Sequence, residues 1–161
     1  MDVFRVRNSV PALAASLMLI ASSMAISSSR AAESSLNLDD YRGQVVLLDF
    51  WASWCVPCRR SFPWMNRMQE KYSAQGLVII GVNMDANPGD AEAFLREYPA
   101  QFTIVADPGG DLARHFDVEA MPSSYIIGRD GAVVATHMGF QVKKSDEYEE
   151  KIRQVLSPGE D

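Results

Sequence analysis

Two cysteines separated by two residues constrain this 161-residue chain more than any other feature, because they lie between two strongly patterned segments. The apolar run Val45–Trp51 precedes Cys55 and Cys58 and contains one polar residue, Asp49, which is typical of a strand covered on both faces. Apolar residues then recur at helical spacing over residues 59–72. The sequence therefore predicts that the cysteine pair connects a buried strand to the start of a helix.

The remaining patterns predict one α/β domain with a mixed central sheet and helices on both faces. Further strands are predicted at residues 77–82, 102–106, 123–127 and 132–136, and further helices at residues 91–98, 112–116 and 145–156. Asp130-Gly131 is a hairpin signal between the last two strands. In this order the first strands are parallel and the final pair is antiparallel.

The first residues have the pattern of an export signal. Arg5 and Arg7 precede an apolar run at residues 10–21, and small residues follow it. We predict a signal peptide at residues 1–31, with an uncleaved signal anchor as the alternative, and a folded domain at residues 34–158. Serines interrupt the run, which favours cleavage because a membrane span needs ~20 apolar residues. The expected location is the bacterial periplasm, with membrane attachment only if the signal is uncleaved.

Charge and cysteine content exclude several classes of function. The chain has 15 basic and 21 acidic residues, a net charge of −6 that argues against a nucleic-acid partner. Two cysteines cannot form a four-cysteine zinc site or ligate an iron–sulfur cluster alone, and His115 and His137 are not at paired metal-ligand spacing. We expect no cofactor and no resident metal. Binding of Cu(I) by the two soft thiolates stays open as an alternative.

The position of the cysteine pair predicts thiol–disulfide exchange. A thiol at a helix N-terminus faces free backbone N–H groups and the positive end of the helix dipole, and both stabilise the thiolate. Cys55 is then the attacking nucleophile, and Cys58 resolves the mixed disulfide. Pro57 suits the first helical turn, where its missing N–H costs nothing.

A buried carboxylate is predicted close to this site. Burial among apolar neighbours should raise the pKa of Asp49 toward the working range of a general base, although an Asp satisfied by a cap at a strand end is the alternative. Asp85, which follows the second predicted strand, is the other candidate for activating the second thiol.

Several motifs together resemble the thioredoxin superfamily, and within it the exported TlpA/ResA/CcmG-like thiol–disulfide oxidoreductases. The matching segments are residues 43–58, Pro63, residues 121–127, Asp130-Gly131 and Gly139, and the resemblance covers residues 36–156. It implies a thioredoxin-like fold with an inserted helix–strand unit at residues 90–106, and a redox disulfide between Cys55 and Cys58. It also implies that Trp54, Pro57, Met121 and Pro122 contact substrate, with Pro122 in the place of the family's cis-proline.

The resemblance also predicts the type of activity. We expect a monomeric dithiol reductant of envelope proteins, with apocytochrome c or copper-site cysteines as candidate substrates and a membrane partner as electron donor. The same fold acting as an oxidant or isomerase is the alternative, because the direction of exchange follows the redox potential.

Two departures from the family pattern bear on the mechanism. Residues 77–82 lack the lysine that thioredoxins pair with the buried acid, and Ala86 stands where several relatives have a glutamate.

Overall fold

The computed structural model describes residues 36–157, which form a five-stranded sheet flanked by helices. The strands are β1 (Val45–Trp51), β2 (Leu77–Asn83), β3 (Thr103–Ala106), β4 (Ser123–Ile127) and β5 (Val133–Met138). The helices are α1 (Cys58–Tyr72), α2 (Pro88–Glu97), α3 (Asp111–His115) and α4 (Ser145–Leu156). The strand order is β3-β2-β1-β4-β5, in which β1, β2 and β3 are parallel and the β1–β4 and β4–β5 pairs are antiparallel. This confirms the predicted mixed sheet.

The central strand β1 is buried along its whole length because helices cover both faces of the sheet. Alternate residues of β1 contribute to two separate apolar clusters, since successive side chains of a strand point to opposite faces. Leu47 and Trp51 belong to the cluster that also contains residues of α1, α2 and α4, whereas Leu48 and Phe50 pack with residues of α3. Asp49 lies on the same face as Leu47 and Trp51.

Aromatic rings join α1 to the inserted unit formed by α2 and β3. The Phe62 ring lies 4.9 Å from those of Trp51 and Phe94 and 5.3 Å from that of Phe102, measured between centroids. Helix α1 continues past Pro63 to Tyr72, as its apolar spacing predicts. The predicted inserted helix and strand are therefore present, and they pack against α1, the helix that begins at Cys58.

The element boundaries differ from the predictions by a few residues. Helix α2 begins at Pro88 rather than at residue 91 because the Asn87 side chain accepts a hydrogen bond from Gly89 N and caps the first turn. Strand β5 extends to Met138, two residues beyond its predicted end. Pro57 precedes the first residue of α1 instead of lying within its first turn.

The predicted signal segment, residues 1–31, lies outside the described residues. Among the helices within residues 36–157, none combines the length and the hydropathy that a membrane crossing requires.

Candidate active site

The cysteine pair lies at the edge of the sheet where β1 and β2 end and β4 begins. Phe50, near the end of β1, pairs with Ser123, the first residue of β4, so the Cys55 loop and the Met121-Pro122 segment leave the sheet side by side. Met138, the last residue of β5, pairs with Ser123 from the other side. Antiparallel pairing thus brings together segments that are far apart in sequence.

Cys55 and Cys58 are joined by a disulfide bond, as the resemblance predicts. Cys55 is 3% exposed and Cys58 is fully buried. The backbone N–H of Cys58, the first residue of α1, donates a hydrogen bond of 3.3 Å to the sulfur of Cys55. A sulfur held at a helix N-terminus is stabilised as a thiolate once the disulfide is reduced.

Asp85 supports the loop before the cysteines. Its carboxylate accepts hydrogen bonds from the Ser53 backbone N–H at 3.0 and 3.2 Å, from the Ser53 hydroxyl at 2.9 Å, and from the Asn83 side-chain amide at 2.8 Å. Asp85 is 6% exposed. These contacts point its carboxylate at the loop backbone, so its evident role is to fix the loop between β1 and Cys55.

We predict that Asp85→Ala lowers the free energy of unfolding by about 2–3 kcal/mol, because it leaves half-buried donors of Ser53 and the buried amide of Asn83 without an acceptor. Denaturant unfolding of the oxidised protein measures this loss. Asp39→Ala, which removes an exposed ion pair with Arg42, is the control and should change stability little. Equal unfolding midpoints for the two variants would contradict the assignment.

Asp49 is a buried acid in the middle of β1. Burial raises its pKa from 3.8 to about 7, although a hydrogen bond from the Ser124 hydroxyl opposes the shift. The Ser124 hydroxyl donates to Oδ1 at 2.5 Å, and within residues 36–157 the other oxygen, Oδ2, is buried with no partner. Gly81 stands opposite Asp49 on β2, and because glycine has no side chain, Asp49 has no side-chain partner at that position of β2. The predicted burial and raised pKa are confirmed, and the strand-end alternative is wrong.

Exposed apolar side chains surround the buried disulfide. Trp54 is 65% exposed, Val56 52% and Met138 66%. Met121 is half-buried and packs against the cluster that contains both cysteines, and the Met121-Pro122 peptide bond is cis. The site therefore combines a shielded reactive pair with an apolar surface, which is suited to contact with another polypeptide.

The histidines do not join the cysteine pair. His115 ends α3, and His137 lies on β5 beside α4, where its ring centroid is 4.0 Å from that of Tyr148. Within residues 36–157, no three side chains of His, Cys, Asp or Glu lie close enough together to hold a metal ion.

This geometry agrees with the comparison with known protein families. The model of the AhpC/TSA family matches residues 21–136. The chain belongs to the AhpC/TSA family. Its thioredoxin-like fold, with the inserted helix–strand unit, confirms the resemblance found from the motifs.

Relatives of this AhpC/TSA family protein agree on its chemistry. Thiol-disulfide oxidoreductase ResA of Bacillus thuringiensis subsp. konkukian is 34% identical over 118 residues, covering 73% of this chain and 68% of that protein. A solved Chlorobium tepidum structure described as thiol:disulfide interchange protein DsbE is 48% identical, covers 76% of this chain and 86% of that one, and has a TM-score of 0.74. StoA of Bacillus subtilis is 25% identical, covers 68% and 82%, and has a TM-score of 0.59. The chain is a thiol–disulfide oxidoreductase.

Three features of this AhpC/TSA site escaped the sequence predictions. Ser124 and Met138 reach the site through strand register, which a single sequence does not reveal. The hydrogen bonds from Ser53 to Asp85 depend on the ends of β1 and β2 meeting at one edge of the sheet, and the prediction that the first strands are parallel was the available signal.

Proposed function

We propose that this protein is a dithiol reductant of exported proteins, with Cys55 as the attacking thiol and Cys58 as the resolving thiol. The observation that carries the proposal is the buried carboxylate of Asp49, which shares a sheet face with the cluster containing Cys58. A carboxylate in an apolar surrounding disfavours a nearby thiolate. Because strong oxidants depend on a stabilised reduced form, this arrangement favours the disulfide and makes the reduced pair a better electron donor.

The reaction proceeds in two exchanges that together transfer two electrons. The Cys55 thiolate attacks a substrate disulfide, forms a mixed disulfide and releases one substrate sulfur as a thiolate, which takes up a proton. The Cys58 thiol gives its proton to Asp49, and the resulting thiolate attacks the sulfur of Cys55. The second substrate sulfur leaves as a thiolate and takes up a proton, so the substrate carries two thiols and the protein holds the Cys55–Cys58 disulfide.

The accessible apolar surface supports recognition of an extended polypeptide. We assign substrate contact to Trp54, Pro57 and Met121 and to Pro122, which is buried in the free protein, and add Met138 because it is exposed beside the first residue of β4. The backbone of Met121 would pair with substrate in a short β-augmentation. This mode binds through the main chain and tolerates different side chains, which suits a reductant that acts on several proteins.

The cellular setting follows from the export pattern of the N-terminal sequence. We propose a protein that faces the bacterial periplasm, delivered by residues 1–31 and folded as a monomer over residues 34–158. Cysteines of apocytochrome c or of a copper-site protein are the candidate substrates. With two cysteines in its sequence, the chain holds one electron pair per cycle, so a donor must reduce it again, and we propose a membrane-bound donor.

Equilibration with glutathione buffers tests the direction of the reaction. We expect the Cys55–Cys58 midpoint potential to lie near the ~−270 mV of thioredoxin rather than the ~−120 mV of the oxidant DsbA. Asp49→Asn should move the potential toward oxidising values because it removes the negative charge. A wild-type value near that of DsbA would contradict the proposed reductant and favour the oxidant alternative.

A further inference from the structure

Asp49 belongs to a row of residues that crosses four strands on one face of the sheet. Strand register places Gly81 of β2 beside Asp49, Asp49 beside Ser124 of β4, and Ser124 beside His137 of β5. Directly paired residues of neighbouring strands have Cβ atoms about 5 Å apart and project to the same face. The row therefore leads from the buried acid to the edge strand β5.

The β2 end of the row is closed by apolar packing. A side chain at Gly81 would meet Ile104, Phe102 and Trp51, since a Cβ atom built there lies 3.0–3.1 Å from their side-chain atoms. Trp51 has its indole N–H on this side, and among the described residues that N–H has no acceptor. The side chains of Ile104, Phe102 and Trp51 fill this end, so it offers Asp49 no path for a proton.

The β5 end of the row opens into a cavity of about 220 Å³ between the sheet and helices α1 and α4. Ser124 and His137 both line it, together with Trp64 and Tyr148, and exposed Lys151 stands among the lining residues. Within residues 36–157, His137 Nε2, Trp64 Nε1 and the Tyr148 hydroxyl are buried without partners. A cavity of this size with several polar atoms in its wall has room and hydrogen-bond partners for water.

We propose that Ser124, His137 and the water of this cavity form the route by which Asp49 exchanges its proton with solvent. The inference rests on the proposed role of Asp49 as the base for Cys58. When protonated Asp49 releases its proton, Ser124 Oγ accepts it and passes its own hydroxyl proton to His137 or to cavity water. Ser124 ends the step unchanged, and one proton leaves the protein.

His137 is suited to this transfer by its surroundings. Burial lowers its pKa below 6.5, so the ring is neutral near pH 7 and has one nitrogen able to accept and one able to donate. The charge of Lys144 lowers the pKa of His137 further, whereas the charge of Glu147 raises it. Lys151 and Tyr148 of α4 also line the cavity. Asp49 itself has Gly81 and Ser124 as its cross-strand neighbours, and neither of these residues carries a charge.

Single-turnover kinetics test the route. Burial raises the pKa of Asp49 into the pH range of the assay, and reduced molecules that hold this proton must lose it before Cys58 can react. Fast proton exchange gives one kinetic phase when the reduced protein meets a disulfide-bonded peptide in stopped-flow fluorescence. Ser124→Ala and His137→Ala should each add a second phase slower by about 10²-fold, at the low end of proton-transfer contributions. The amplitude of that phase should grow as pH falls.

Ser123→Ala is the matched control, because the neighbouring hydroxyl donates to Ala120 O and plays no part in the row. It should retain one phase. Imidazole, which fits the cavity, should restore one phase in His137→Ala, whereas a bulky buffer such as HEPES should not. A single phase in Ser124→Ala, or a slow phase in His137→Ala that imidazole leaves unchanged, would overturn the route.

Asp49→Asn separates this inference from the proposed function. If that variant reacts as fast as the wild type at every pH, the proposed base is wrong. If it is slow while Ser124→Ala and His137→Ala retain one phase, the base stands and the route through the cavity is wrong.

Discussion

Cys58→Ser should reduce steady-state disulfide reduction by at least about 10³-fold, because a thiol that acts as one unit with its partner cannot be replaced by a hydroxyl. Cys55 remains able to attack, so the variant should accumulate as a mixed disulfide with its substrate. Intact mass spectrometry of the reaction with a disulfide-bonded peptide measures the adduct.

Cys55→Ser is the complementary control. It should lose activity to the same extent but form no adduct, since Cys58 is fully buried and cannot reach a substrate sulfur. Adduct formation by Cys55→Ser, or retained reductase activity, would reverse the assigned order of the two thiols.

Asp49→Asn should stabilise the oxidised protein at alkaline pH. The folded pKa of Asp49 is raised to about 7 from 3.8, so between these values the folded state binds more protons than the unfolded state and stability falls as pH rises. Asparagine does not titrate, so the stability of the variant does not fall with pH for this reason. Its advantage over the wild type should therefore grow by about 3 kcal/mol from pH 5 to pH 8, at ~1.4 kcal/mol per pH unit below the folded pKa. Denaturant unfolding at the two pH values measures the change.

Asp107→Asn is the matched control for a buried acid. The Asp107 carboxylate accepts hydrogen bonds from the backbone N–H groups of Asp111 and Ala113, so an amide in its place loses an acceptor and should destabilise the protein. If Asp49→Asn showed the same stability difference from the wild type at pH 5 and at pH 8, the raised pKa of Asp49 would be wrong.

The local sequence was sufficient to predict the reactive pair and the element order. A seven-residue apolar strand, two cysteines and a helix are adjacent in the chain, so hydrophobic period and spacing locate them without tertiary information. The burial of Asp49 could be predicted for the same reason, since its neighbours on both sides are apolar.

The partners of these residues could not be predicted in the same way. Ser124 becomes the neighbour of Asp49 through the register of β1 with β4, and a shift of one residue would turn its hydroxyl to the other face. Asp85 was a candidate base from its position after a strand, but the Ser53 and Asn83 donors that hold its carboxylate are visible only in three dimensions. Boundary errors, as at Pro88, arose from capping contacts that extend a helix beyond its apolar pattern.

The contact between Ser124 and Asp49 joins residues 75 positions apart, whereas the two cysteines are three positions apart. Cys55 and Cys58 can therefore find each other in a chain that has not yet folded, while the acid and the serine meet only after β4 has docked beside β1. In the nascent chain the two thiols have the reactivity of ordinary cysteines. The Ser124–Asp49 hydrogen bond therefore forms in the same step that completes the sheet, so a partly folded molecule carries both cysteines before this contact exists.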